Sequence, residues 1–140
     1  MKYDIGKIAY ILQTSKIVAI VGLSPKPERP SYQVAKYLME QNYTIVPVNP
    51  GHQEILGQTC YPSLFDIPFA INIVDVFRRS EDVPPIVRAA IQIEAPYIWL
   101  QEGIKNEEAA ELAREHGISF IEDLCIKKLH QKCVAENLVR

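Results

Sequence analysis

The chain has 140 residues, 48% of them apolar and 23% charged, with 15 Lys and Arg against 17 Asp and Glu and a formal charge of -2. That length predicts one domain, 1–140, and that composition predicts a packed core rather than a disordered chain. The absence of a basic excess argues against a nucleic-acid partner. The stretch Met1-Lys2-Tyr3-Asp4-Ile5-Gly6-Lys7 has no uninterrupted apolar run of signal-peptide type. The longest apolar run, from Ile17 to Leu23, is far too short to span a membrane, so a cytoplasmic location is expected. Cys60, Cys125 and Cys133 are odd in number and lack short pairing motifs, which predicts reduced thiols. His52, His116 and His130 show no metal-ligand spacing, and no metal site is expected.

Short apolar runs alternate with stretches of helical period, the pattern of βαβ units around a parallel sheet. Asp4 to Gln13 reads as an introductory helix, with Ile5, Ile8, Ala9, Ile11 and Leu12 on one side. Lys16 to Gly22 is the first strand, apolar without alternation as a strand buried on both faces should be. A proline-rich loop follows, and Ser31 is placed to cap a helix burying Val34, Ala35, Leu38 and Met39. Tyr43 to Val48 is the second strand, stopped by Pro50 and Gly51. A loop runs on through Ile55-Leu56-Gly57, with one helical turn from Ser63 to Ile67. Ala70 to Val76 is the third strand, apolar apart from Asn72 and Asp75. Ser80 is expected to cap a helix from Glu81 to about Ile93, with Pro84 in its first turn. Tyr97 to Leu100 is a fourth strand, with Tyr97 and Trp99 expected in the core. Asn106 caps a helix that ends at His116-Gly117. Ile118 to Ile121 is the fifth strand, and a short helix from about Leu124 to Lys132 closes the chain. The expected architecture is α/β: a Rossmann-like, doubly wound, parallel five-stranded sheet of order 3-2-1-4-5 with helices on both faces.

In such sheets ligands bind beyond the carboxyl ends of the strands, at the switch point. That edge would gather Gly22-Leu23-Ser24, Asn49-Pro50-Gly51, Phe77-Arg78-Arg79 and Gln101-Glu102-Gly103. A glycine directly after a buried strand lets backbone approach a ligand, and a following helix N-terminus favours a phosphate or pyrophosphate. Ser24 and Ser31 add hydroxyls there, and Lys26 and Arg29 add charge. The plainer alternative is that Gly22 only permits a tight turn. Arg78 and Arg79 suit phosphate recognition, or form a solvated pair or salt bridge. The dinucleotide fingerprint is missing, since Gly22 is followed by Leu23-Ser24-Pro25. The second strand ends in Val48-Asn49-Pro50, without the acidic residue that holds a ribose 2′-hydroxyl. NAD is disfavoured, while a phosphate-bearing nucleotide is not, and Pro50 offers a flat surface for an adenine.

A set of ordered motifs extends this picture. Val18-Ala19-Ile20-Val21-Gly22-Leu23-Ser24, Arg29-Pro30-Ser31-Tyr32, Ile45-Val46-Pro47-Val48-Asn49-Pro50-Gly51 and Glu54-Ile55-Leu56-Gly57 resemble the small stand-alone CoA-binding domain family. So do Ile73-Val74-Asp75-Val76-Phe77-Arg78-Arg79-Ser80, Trp99-Leu100-Gln101-Glu102-Gly103-Ile104 and Asp123-Leu124-Cys125-Ile126-Lys127. The resemblance covers residues from about 16 to 128. That family is similar in fold to the CoA-binding domain of the succinyl-CoA synthetase α subunit. The resemblance implies coenzyme A as the ligand and a pyrophosphate on Gly22-Leu23-Ser24, with Lys26, Arg29, Ser31 and Tyr32 alongside. It places the adenosine near Val48-Asn49-Pro50 and Val76-Phe77-Arg78, with Arg79 adjoining. His52 falls where the synthetase uses a lysine for a CoA phosphate, and a histidine is the weaker cation. The synthetase's phosphorylated histidine lies in a second domain outside the matched stretch, so ligase activity is not implied.

Three readings stand on the sequence. The first is a module that binds CoA or an acyl-CoA without its own catalysis. The second is an enzyme on an acyl-CoA or another nucleotide-linked metabolite, using Cys125, Asp75 or Glu102. The third is a different nucleotide binder of NAD(P) type. Cys125 is a candidate thiolate if it opens a helix, against the alternative of a buried small hydrophobe. Asp75 and Glu102 are isolated carboxylates and make no catalytic pair.

Overall fold

The apolar runs become the strands of one parallel sheet, and the amphipathic stretches cover both of its faces. In a computed structural model describing residues 3–140, the elements are α1 (Ile5–Thr14), β1 (Ile17–Val21), α2 (Pro30–Glu40), β2 (Thr44–Val48), β3 (Glu54–Ile55), β4 (Gln58–Thr59), β5 (Ile73–Val76), α3 (Val83–Gln92), β6 (Tyr97–Leu100), α4 (Glu107–Glu115), β7 (Ser119–Ile121) and α5 (Ile126–Ala135). Single 3-10 turns stand at Leu64–Asp66 and Ser80–Asp82. Met1 and Lys2, which open the polar N-terminal stretch, lie outside the described residues. Among the described residues no helix is long and apolar enough to cross a membrane.

The α/β doubly wound sheet with five parallel strands is as expected. Its order is β2-β1-β5-β6-β7, and every neighbouring pair is parallel. The third long strand therefore lies beside the first, where the sequence reading had set it beyond the second. Pro47 supplies a physical reason. Thr44 donates its N–H to Lys16 and the Val48 carbonyl accepts from Gly22, so Thr44, Val46 and Val48 face β1. The backbone groups of Ile45 and Pro47 then point away from β1, and Pro47 has no N–H to offer a further strand. Instead its carbonyl accepts from Tyr61 N. β2 is fit to be an edge, whereas β5, buried along its whole length, is fit for the centre.

The two faces carry separate cores. Ile8, Leu12, Val34, Leu38, Ile126 and Leu129 from α1, α2 and α5 pack on Val18, Ile20, Ile45, Ile73 and Trp99. Val83, Val87, Ala90, Ala109 and Ala113 from α3 and α4 pack on Ala19, Val21, Val46, Val74, Val76 and Leu100. Right-handed crossovers require this split. The chain steps one way from β1 to β2 through α2, then returns past β1 to β5 and continues through α3 and α4 on the other face. The reversal falls between β1 and β5, which makes that junction the switch point.

Two expected caps are used differently. α2 begins at Pro30, with Arg29 as its N-cap, so Ser31 lies inside the helix. α3 begins at Val83 with Asp82 before it, and Ser80 opens the 3-10 turn instead. Asn106 does cap α4, its side chain accepting from Ala109 N at 2.8 Å. His116 and Gly117 end that helix, Gly117 at φ 69. The loop after β2 contains a hairpin, β3 with β4, turning on Leu56 and Gly57 at φ 55 and 74. That turn was not foreseen, because leucine seldom takes a positive φ.

Candidate functional site

The carboxyl end of β1 meets the loop after β5 backbone to backbone. Gly22 has φ +89, and a Cβ placed there would lie 2.4 Å from the Phe77 carbonyl oxygen and 2.9 Å from Arg78 Cδ. The fold itself thus demands glycine at this position, before any ligand is considered. Beyond it, Leu23 packs its side chain into the α1/α2/α5 core, and its carbonyl accepts from Asn49 Nδ2 at 3.0 Å. Asn49 Oδ1 accepts from Gly51 N at 2.9 Å. Both ends of the Asn49 side chain are committed, Nδ2 tying the loop after β2 to the loop after β1 and Oδ1 bracing the turn at Gly51, so it ties the rim rather than pointing at a ribose.

Two serines shape the first loop. Ser24 N donates to Ser31 Oγ at 3.0 Å, and Lys26 N donates to Ser24 Oγ at 3.1 Å. Each hydroxyl oxygen is thus occupied as an acceptor, leaving its O–H free to donate, the polarity an anionic oxygen needs. Lys26 and Arg29 are exposed on the same loop, Tyr32 is half-buried in the first turn of α2, and Pro50 and His52 are exposed after β2. Val48 and Val76 are buried strand ends.

The paired arginines separate clearly. Arg79 Nε bonds Asp82 at 3.1 Å and its guanidinium lies 3.9 Å from Glu81. The hydrogen bond to Asp82 and the nearby carboxylates push Arg79 further up in pKa. Arg78 makes no ion pair among the described residues. It lines two clefts at once. One, about 430 Å³, is walled by Val21, Val48, Pro50, Pro62, Phe65 and Ile86. The other, about 530 Å³, is bounded by Phe77, Arg78, Arg79, Asp82 and Ile104. Pro62, Phe65 and Ile86 have no local signature as cleft residues, because they lie on a loop, a 3-10 turn and a helix flank remote in the chain from the other walls. A cleft of about 620 Å³ on the β7 flank, between Tyr3, Lys7, Phe120 and Leu124, touches none of these residues.

The groups named as possible acids, bases or nucleophiles are placed differently. Glu102 is exposed and bonds Lys128 Nζ at 3.0 Å. Cys125 is buried immediately before α5 and makes no capping bond. Asp75 is fully buried on β5, and neither carboxylate oxygen has a partner among the described residues. Burial pushes its carboxyl well above the usual carboxylate range. Cys60 and Cys133 are also buried, and burial raises both thiols.

Comparison with known proteins assigns the family. The profile of a family described as "CoA binding domain" matches residues 16–131. An uncharacterized protein of Bacillus subtilis, YneT, is 45% identical over 125 residues, 89% of this chain and 93% of that one. A solved structure of a hypothetical protein from Pyrococcus horikoshii superposes with a TM-score of 0.92 at 38% identity, over 95% of this chain and 94% of that one. The ADP-forming acetate–CoA ligase I of Archaeoglobus fulgidus is 31% identical over 121 residues, 79% of this chain but 18% of the ligase. With most of its length matched by the family profile, and that match running through every strand of the sheet, the chain belongs to the CoA binding domain family.

Proposed function

We propose that this chain binds coenzyme A, or an acyl-CoA, at the β1/β5 switch point and does so as a binding module without its own catalysis. The pyrophosphate sits on the backbone of Gly22-Leu23-Ser24, with the Ser24 and Ser31 hydroxyls and Arg78 donating to it. Lys26, Arg29 and His52 add positive charge around the rim, with Tyr32 beside them. The adenosine occupies the 430 Å³ cleft, its ring against the apolar wall of Val48, Pro50 and Phe65. The observation that carries this reading is Arg78, an arginine with no ion pair among the described residues, standing between two clefts against the Gly22 turn. An unpaired guanidinium beside free hydroxyl donors favours an anion of phosphate type. Binding without turnover is supported by the candidate acid, base and nucleophile: Glu102 is tied to Lys128, and Asp75 and Cys125 are buried.

Calorimetric titration of the folded protein tests this. Coenzyme A should bind with a dissociation constant at least tenfold below that of NAD, and should raise the melting temperature more than NAD does. A folded protein that gives no binding heat with coenzyme A would overturn the proposal. A preference for NAD would move the chain to the dinucleotide class.

A further inference from the structure

One cleft at the switch point has no part of the ligand assigned to it. It holds about 530 Å³ and is walled by Phe77, Arg78, Arg79, Asp82 and Ile104. It adjoins the 430 Å³ cleft through Arg78 and Asp82, which line both. The two clefts open on the same side of the sheet. Val21, Val48 and Leu64 of the 430 Å³ cleft belong to the α3/α4 core, and Ile104 packs against that core. Phe77 closes the 530 Å³ cleft from the end of β5.

The wall of this cleft differs in chemistry from the charged rim around Gly22. Phe77 and Ile104 are apolar and half-buried, so each keeps part of its surface open. Arg79 and Asp82 neutralise one another, Nε to Oδ2 at 3.1 Å. Ile104 is held in place by its backbone: its N–H donates to the Gln101 carbonyl at 2.9 Å, and its own carbonyl accepts from Asp123 N at 3.1 Å. The loop after β6 therefore sets this position without help from the isoleucine side chain. An apolar seat beside a balanced ion pair receives an apolar or uncharged group at little cost, and a charged one only at a penalty.

Coenzyme A divides along the same line. Its nucleotide half carries the charge. Its pantetheine arm is uncharged, with geminal methyls close to the pyrophosphate and then a hydroxyl and amides. We infer that this chain reads the arm as well as the nucleotide, with the geminal methyls seated on Phe77 and Ile104, and that Ile104 sets a preference for coenzyme A over plain adenine nucleotides. This rests on the coenzyme A reading, and it assigns the part of the ligand that the pyrophosphate and adenosine contacts leave over. The spacing agrees. β6 lies beside β5, so the loop after β6 stands about 5 Å beyond a pyrophosphate held at the end of β5. The carbon bearing the methyls is about three bonds from phosphorus, a reach of roughly 3.5 Å, and the methyls extend it to the same distance. Further along, Asp82 Oδ1, which has no partner among the described residues, is free to accept from an amide N–H of the arm.

The test compares coenzyme A with its nucleotide half, adenosine 3′-phosphate 5′-diphosphate. Wild type, Ile104→Ala and Ile104→Val are titrated with both by calorimetry, after circular dichroism has established folding. Wild type should bind coenzyme A about tenfold tighter than the nucleotide half. Ile104→Ala should weaken coenzyme A by about fivefold, through lost apolar contact, and leave the nucleotide half within about twofold. Ile104→Val, which keeps a branched apolar surface, should stay within about twofold for both. Equal weakening of both ligands by Ile104→Ala would mean a structural role and overturn the inference, as would no change for either. Equal affinity of wild type for the two ligands would mean that the arm is not read, and the inference falls. If wild type binds neither, the coenzyme A reading has itself failed and the inference goes with it. Nuclear Overhauser effects on wild type give a second readout that needs no alanine variant. The Ile104 δ1 methyl, identified by its absence in Ile104→Val, should show a contact to the geminal methyls of bound coenzyme A. A saturated complex without that contact overturns the inference.

Discussion

Replacing Gly22 with alanine puts one methyl group where the backbone of the neighbouring strand already lies. Two costs can be separated. An L-residue at φ +89 pays about 1–2 kcal/mol for left-handed backbone. The added Cβ meets the Phe77 carbonyl oxygen at 2.4 Å, roughly 1 Å inside ordinary contact, and that obstacle is backbone rather than a swinging side chain. Prising β1 and β5 apart at their ends should cost about another 1–3 kcal/mol, as overpacking does elsewhere. The sum is about 2–5 kcal/mol. Gly57→Ala provides the internal control, because Gly57 also has positive φ, +74, but nothing lies within 4 Å of its added Cβ. It should cost only the backbone part. In urea, at about 2 kcal/mol per molar, Gly22→Ala should lower the midpoint by about 1–2.5 M and Gly57→Ala by about half a molar to one molar. Equal midpoints for the two variants would refute the claim that the β1/β5 contact makes Gly22 obligatory.

Three other outcomes are expected. Arg78→Ala should weaken coenzyme A by about tenfold or more by calorimetry, whereas Arg79→Ala, already paired with Asp82 and Glu81, should change it less than threefold. His130 is buried between Tyr37 and Tyr43, its Nδ1 2.7 Å from the Tyr37 hydroxyl, with Cys133 and Lys127 on the same helix and the Lys127 ammonium over the Tyr37 ring. Burial lowers its pKa, so the unfolded chain takes the proton first; stability is held above pH about 6.5 and falls as pH drops below it. His130→Gln should flatten urea midpoints between pH 7.5 and 5, and an unchanged slope would remove His130 as its source. Asp75 works with the opposite sign. Its raised pKa lets the folded state keep the proton, so stability falls as pH rises above the unfolded value of about 3.9. Asp75→Asn should therefore stabilise by about 1–3 kcal/mol, more at pH 8 than at pH 5, in the same urea assay.

Much of this was legible because burial writes itself into composition. Ile73 to Val76 and Tyr97 to Leu100 read as strands from their apolar runs alone, and Asn106 declared its helix by a side chain that has no better use. Pro47 does carry part of the strand order, since a residue without an N–H marks an edge. Ser31 and Ser80 have the right chemistry for caps, but their hydroxyls accept from Ser24 N and Lys105 N across loops. Such a choice between local and distant donors has no local signature. The four loops expected at one sheet edge follow the ends of β1, β2, β5 and β6, which are adjacent and parallel, and the motif set pointed to the family. Arg79 differs from Arg78 by carboxylates only two and three residues on, Glu81 and Asp82, which the turn after β5 brings to it, whereas the burial of Asp75 depends on neighbours distant in the chain.

Pro47 has one more consequence, for encounters between molecules. The outer rim of β2 lacks a donor at Pro47, and Tyr61 already takes that residue's carbonyl. The opposite rim, β7, is three residues long. Neither end of the sheet offers a run of free backbone on which another extended chain could grow, so the aggregation hazard of an open parallel sheet is blunted by one imino acid on one side and by brevity on the other.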